Sequence, residues 1–139
     1  MATLTATAAQ STVPAKFAIN RDITRVVSYT CNPALSAGDV IQMMRVPAGA
    51  QILNLRFWTD LFGGGNATIT GVGDGVSANR FMGSASTSNS LAAALLLTPQ
   101  SIGYSYSVED TIDITIGTVT SASAVGVLWL SVLYTNDNN

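Results

Sequence analysis

The stretch Ala124-Val125-Gly126-Val127-Leu128-Trp129-Leu130-Ser131-Val132-Leu133-Tyr134 reads as a β-strand without a wet face. Side chains alternate across a strand, so Val125, Val127, Trp129 and Leu133 fall on one side and Leu128, Leu130 and Val132 on the other. Both sides are apolar, and both need cover. An opposing sheet supplies one cover; a loop, a helix or a second subunit must supply the other.

Working outward from that strand, Thr111-Ile112-Asp113-Ile114-Thr115-Ile116 alternates cleanly, with three isoleucines turned inward and Asp113 outward. Ile23 to Thr30 is β-branched and aromatic and stops at Asn32-Pro33. Val40 to Val46 opens after Gly38-Asp39 and closes at Pro47-Ala48-Gly49. Ile52 to Trp58 places Leu53, Leu55 and Phe57 on one face and Asn54 and Arg56 on the other. Gly63-Gly64-Gly65-Asn66 turns into the strand Ala67 to Val72, Asp74-Gly75 reads as a hairpin turn, and Arg80-Phe81-Met82 is a weak segment. Gly103 to Val108 is a further strand. Leu91 to Leu97 has helical propensity, with Ser88, Asn89 or Ser90 as its cap and Pro99 as its end, which predicts one short helix near 89–97.

About eight short strands with one brief helix predict an all-β fold, a two-sheet antiparallel sandwich of the jelly-roll kind. An immunoglobulin-like sandwich is the alternative, but this sequence lacks its paired cysteines flanking a tryptophan. No repeat suggests a solenoid. The Ala-, Thr- and Ser-rich residues 1–15 read as an extended N-terminal arm able to reach a neighbouring subunit, and residues 16–139 as a single jelly-roll domain.

Composition narrows the function. The 139 residues are 47% hydrophobic and 10% charged, with no histidine and a single cysteine, Cys31. The usual proton shuttle and the commonest metal ligand are therefore absent, and no intramolecular disulfide or cysteine cluster is possible. We expect no enzyme activity, no cofactor and no small-molecule substrate. No apolar run reaches the roughly 18 residues of a membrane helix, and the first ten residues do not resemble a secretory signal, so no membrane partner and a reducing cytoplasm are expected. A net charge of −2 argues against a nucleic-acid partner. All six basic residues precede position 81, against four acids there, and four unmatched acids follow. That asymmetry suits docking on a patterned neighbour unless folding interleaves the two halves.

Each candidate site has a plainer reading. Gly63-Gly64-Gly65 lacks the Lys-Ser/Thr of a phosphate-binding loop, and Gly71 to Gly75 is similar to one half of a calcium-binding nonapeptide repeat, which a single copy cannot stack into a roll. Glu109, Asp110 and Asp113 could ligate calcium or pair for glycoside hydrolysis, but as turn and strand-face acids they are expected to be solvated. Ser84 to Ser90 has hydroxyls without a base to activate them, and the sequon Asn66-Ala67-Thr68 matters only in a secretory pathway. Trp58 and Trp129 could stack on sugars, as could Tyr104 and Tyr106; core or interface anchors are the commoner role.

The run Gly38-Asp39-Val40-Ile41-Gln42-Met43-Met44-Arg45-Val46-Pro47-Ala48-Gly49-Ala50-Gln51-Ile52-Leu53 resembles small structural proteins of tailed bacteriophages, above all capsid cement or decoration proteins. Pro fixes φ, Gly allows a tight reversal and small alanines let two strands meet at a corner. The resemblance implies a jelly-roll homodimer or homotrimer on the outer surface of an icosahedral virion, assembled in the host cytoplasm. There it would bridge major capsid proteins and stabilise the head against internal DNA pressure. On this reading Thr3, Leu4, Lys16, Arg21 and Arg25 are expected to contact the capsid, and Val127, Trp129, Leu130 and Leu133 to form the oligomer interface. A carbohydrate- or receptor-binding β-sandwich, such as a head or tail fibre piece, is the alternative.

Overall fold

A computed structural model describes residues 1–10, 22–31, 35–59, 67–86, 101–119 and 126–136. In chain order these form β1 (Thr3–Thr5), the single helical turn α1 (Thr7–Gln10), β2 (Asp22–Cys31), β3 (Val40–Val46), β4 (Ala50–Thr59), β5 (Ala67–Asp74), β6 (Ala85–Ser86), β7 (Asp110–Val119) and β8 (Gly126–Asn136). One sheet has the order β1-β3-β7-β5-β6 and the other β2-β8-β4. The molecule is an all-β, two-sheet sandwich of the jelly-roll class. The helix expected near 89–97 lies outside the described residues, as does the Gly63–Asn66 turn.

The two strands that stood out in sequence occupy the two sheet centres. β7 runs between β3 and β5, and its Ile112, Ile114 and Ile116 are fully buried. β8 runs antiparallel to both β2 and β4, and its Leu128, Leu130, Val132 and Tyr134 point into the same core. Each central strand is thus hydrogen-bonded on both edges and packed on its inner face, the placement in which β-branched and aromatic residues stabilise a sheet most.

The Val46-Pro47-Ala48-Gly49-Ala50 corner carries the chain from the five-stranded sheet to the three-stranded one. Gly49 takes φ +84°, and the Ala50 N–H donates to the Pro47 carbonyl at 3.2 Å. That turn needs a residue free of the left-handed penalty at its third position, which is why glycine stands there. Residues 103–106 return along the free edge of β4, with Gly103 N–H donating to Ile52 O at 2.9 Å and Tyr106 N–H to Ala50 O at 2.9 Å, a shorter pairing than the expected strand to Val108.

The structure departs from the sequence reading, or adds to it, at four places. Residues 1–10 do not stand away from the fold: β1 pairs in parallel with β3, the exception among the described strand pairs, and Ala6 and Ala9 are buried. Leu53 does not share a face with Leu55 and Phe57, because an irregularity between Ile52 and Asn54 puts Ile52 in the core and leaves Leu53 half-buried on the other side. A second bulge between Gln42 and Met44 buries both Met43 and Met44. One extra residue shifts every later side chain to the opposite face, and alternation alone does not announce it. Finally, among the described residues folding interleaves the two chain halves, the alternative that the charge asymmetry left open. β7 and β8 insert between earlier strands, and Arg45 Nη1 pairs with Glu109 Oε1 at 2.7 Å.

Leu130, read from sequence as an interface residue, is 0% exposed within one chain and belongs to the core. Leu130→Ala should lower the unfolding free energy by about 2–5 kcal/mol in denaturant titrations without changing the oligomeric state. The neighbouring Ser131→Ala, on the outer face, should cost less than about 0.5 kcal/mol.

Candidate functional site

The outer face of the three-stranded sheet gathers apolar and aromatic side chains that do not enter the core. Strand register sets them in rows: Thr24, Leu133 and Asn54; then Val26, Ser131 and Arg56; then Ser28, Trp129 and Trp58; then Thr30 beside Val127. The Trp58 and Trp129 rings face each other across a direct cross-strand pair, with centroids 6.1 Å apart and planes within 3°. Offset stacking of this kind stabilises a pair beyond simple area burial. Val26 is 58% exposed, unusual for a valine inside a ten-residue strand. Thr24, Asn54, Arg56, Ser131 and Leu133 line a shallow depression of about 230 Å³ on this face.

Val127, Trp129 and Leu133 therefore lie together on an outward surface, and the structure adds Val26, Leu53 and Trp58 to them. The added residues are legible only once the strand neighbours are known. Of the expected capsid contacts, Thr3 is exposed, whereas Leu4 packs against the core. Arg25 lies opposite the buried Val132 on the inward side of β2, beside Tyr134. Burial raises the Tyr134 phenol above its ordinary range, with the Arg25 charge and hydrogen bond working against that rise. Lys16 and Arg21 lie outside the described residues.

Sequence reading missed a buried polar cluster at the end of β5. The Asp74 carboxylate accepts hydrogen bonds from the Val76 and Ser77 N–H groups at 3.0 and 2.8 Å, pairs with Arg80 Nε and accepts the Tyr106 O–H at 3.2 Å. The Arg80 guanidinium lies 3.9 Å over the Tyr104 ring, and Tyr104 meets Tyr106 edge to face at 5.0 Å. The hydrogen bond to Asp74 raises the Arg80 pKa, and burial followed by the Asp74 charge pushes the Tyr106 phenol far up. Every member has a charge or hydrogen-bond partner, so the cluster locks the 75–80 loop and offers no poised acid or base. The loop does reverse the chain as Asp74-Gly75 suggested: Val72 bridges Met82, and Ile69 pairs with Ala85. Tyr104 and Tyr106 are consumed by this packing and present no sugar platform.

Glu109, Asp110 and Asp113 do not form a ligand set. Glu109 pairs with Arg45, Asp110 accepts from the Thr111 N–H at 2.8 Å, and no cluster of three potential metal ligands occurs among the described residues. Cys31 is buried, and burial pushes its thiol up to about 12, which removes nucleophilic character.

Asp113 departs from the solvated acid expected of it. It points to the outer side of the five-stranded sheet, opposite Gly73 and Gln42, yet is only 6% exposed. The 75–80 loop folds over this side: a Cβ on Gly73 would lie 1.9 Å from the Ser77 carbonyl oxygen, so only glycine admits the loop. Among the described residues Asp113 Oδ1 has no hydrogen-bond partner, and burial, with Asp110 and Asp74 adding repulsion and a Thr111 hydrogen bond opposing, raises its pKa to about 6.

No protein-family model and no characterised protein matches the sequence. Its fold is shared with chains of solved phage capsids. A chain of the capsid of Ralstonia phage GP4 superposes with a TM-score of 0.76 at 13% identity, covering 99% of both chains. A chain from the cyanophage Pam1 capsid asymmetric unit gives 0.65 at 20% identity over 91% of this chain and 94% of that one. A chain of the acid-stable capsid of Helicobacter pylori bacteriophage KHP30 gives 0.59 at 13% identity over 87% and 92%.

Between about pH 4 and 6 folded Asp113 keeps a proton that the unfolded chain has released. Stability should therefore fall as pH rises through that window and level off above it. Asp113→Asn should flatten this slope and raise the unfolding free energy at pH 7.5 by about 2 kcal/mol, read from denaturant melts at a series of pH values.

Proposed function

We propose that the chain is a non-enzymatic structural protein of a phage virion, a cement subunit on the outer surface of an icosahedral head. There it bridges major capsid proteins and stabilises the shell against internal DNA pressure. The observation that carries this reading is the correspondence in fold with a phage capsid chain over 99% of each chain. The resemblance of residues 38–53 to cement proteins points to the decoration role within that setting. The missing histidine and the fully partnered Asp74–Arg80–Tyr106 cluster accord with a protein that binds and does not react.

The outer face of β2-β8-β4 is the surface we assign to contact between copies of the chain. Its Trp58–Trp129 stack, Val26, Val127 and Leu133 supply the large aromatic and aliphatic anchors that dominate interface energetics, while Thr24, Ser28, Thr30 and Ser131 add small polar contacts around them. Each contact is modest, but a closed shell repeats it many times, and multivalency turns weak sites into tight retention. The sugar-binding alternative rests on Trp58 and Trp129, whose rings are stacked on each other.

Trp129→Glu should leave the fold intact, because the residue lies outside the core, and should shift the protein to monomer in sedimentation velocity, with at least a tenfold weaker association. Virions lacking the protein should lose infectivity faster than wild type on heating and osmotic shock; unchanged resistance would remove the cement role. Glycan-array binding abolished by Trp58→Ala would favour the carbohydrate reading instead.

A further inference from the structure

Among the described residues, the sheet edges other than β2 end in short pieces: β1 has three residues, β6 has two, and residues 103–106 lie along β4. β2 has ten, and it closes one side of the three-stranded sheet. Its register with β8 runs from Asp22 to Cys31 without a shift, whereas β4, on the other side of the same sheet, carries a bulge. The strand contains no proline, glycine or lysine. Edges that must stay unpaired are shortened, bulged or given proline or lysine, and β2 has none of these features. Its one charge away from the strand end, Arg25, lies on the inward side, where a hydrogen bond to Tyr134 commits it to its own chain. Every second residue of an edge strand turns its N–H and C=O away from the sheet, and among the described residues no backbone hydrogen bond reaches those of β2.

The strand is also complementary to itself. In an antiparallel pair, residues opposite each other share a face, so two copies of β2 match inward with inward and outward with outward side chains only when the paired positions have the same parity. Centring the pair on Val26 meets that condition. On the outer face Val26 then meets its own counterpart, Thr24 meets Ser28 and Asp22 meets Thr30; on the inner face Ile23 meets Tyr29 and Arg25 meets Val27. No like charges face each other, and two valines, each 58% exposed in the single chain, cover one another. Centring on Arg25 sets two guanidinium side chains in opposition, and centring on Val27 leaves Val26 against Ser28.

We propose that β2 is a pairing edge, through which two copies of the chain join as antiparallel strands about a two-fold axis at Val26. The proposal rests on the reading of this sheet as a contact between copies, and it assigns that contact to main-chain hydrogen bonds along the edge. Strand addition draws its affinity from the backbone and its register from the side chains, here the Val26 pair. The two outer faces become one surface, with Trp129 one strand in from the seam. A two-fold pairing closes on itself and consumes both edges, so it makes a dimer and leaves no β2 edge open to further strands.

Sedimentation velocity of the full chain tests the contact, and cysteine crosslinking tests its register. Val26→Lys sets two ammonium groups against each other at an exposed position; it should weaken association at least tenfold while the far-ultraviolet circular dichroism stays unchanged. A mixture of Thr24→Cys and Ser28→Cys chains should be joined by a short bis-maleimide, because those positions face each other across the seam. Neither variant should join to itself, since its counterpart lies four residues further along, roughly 13 Å away. The parent chain, whose Cys31 is buried, gives the background. Undiminished association of Val26→Lys, or a mixture that joins no better than either variant alone, would overturn the edge pairing. If Trp129→Glu nevertheless yields monomers, the contact between copies stands and lies on the outer face alone, whereas a monomeric parent chain would remove both.

Discussion

The rest of the structure depends on the packing of two central strands, β7 and β8, face to face. Ile112, Ile114 and Ile116 from one sheet and Leu128, Leu130 and Val132 from the other fill the core with branched aliphatic side chains that carry no polar group to satisfy. Everything peripheral is fixed by what those strands hold. β3 and β5 align on β7, β2 and β4 align on β8, and the Pro47–Ala50 corner joins the layers. A strand at a sheet centre is committed on both edges and on its inner face, so the outer face is the only surface left to vary.

That freedom separates the two sheets. On the five-stranded sheet the outer side is partly closed by the chain itself: the 75–80 loop lies over Gly71 and Gly73 and buries Asp113, with Asp74 and Arg80 clamping the loop. On the three-stranded sheet the outer side carries stacked tryptophans and an exposed valine. Among the described residues, one outer face is covered by a loop of the same chain and the other presents exposed and half-buried apolar side chains between polar ones.

Much of this was legible in the sequence where period-two alternation is unbroken. Val40 to Val46 was bounded correctly, the three isoleucines of β7 face inward, and the doubly apolar β8 is central. Legibility failed at three kinds of place. The bulges at Met43 and after Ile52 insert one residue each and flip the faces that follow, which moved Leu53 outward. Leu130 lies on the buried face that alternation gives it, opposite Val127, Trp129 and Leu133, and so cannot share a surface with them. The Asp74–Arg80–Tyr106 cluster and the burial of Asp113 are contacts between residues distant in sequence or held by loop geometry. Local propensity carries no information about which acid a loop will cover.

The link between fold and role is tested most directly by cryo-electron microscopy of virions at side-chain resolution. The expected result is density for this chain on the outside of the shell, with Trp58, Trp129 and Val26 packed against a second copy of the chain. Virions without that density, or with the outer face of the three-stranded sheet turned to open solvent at every position, would contradict it.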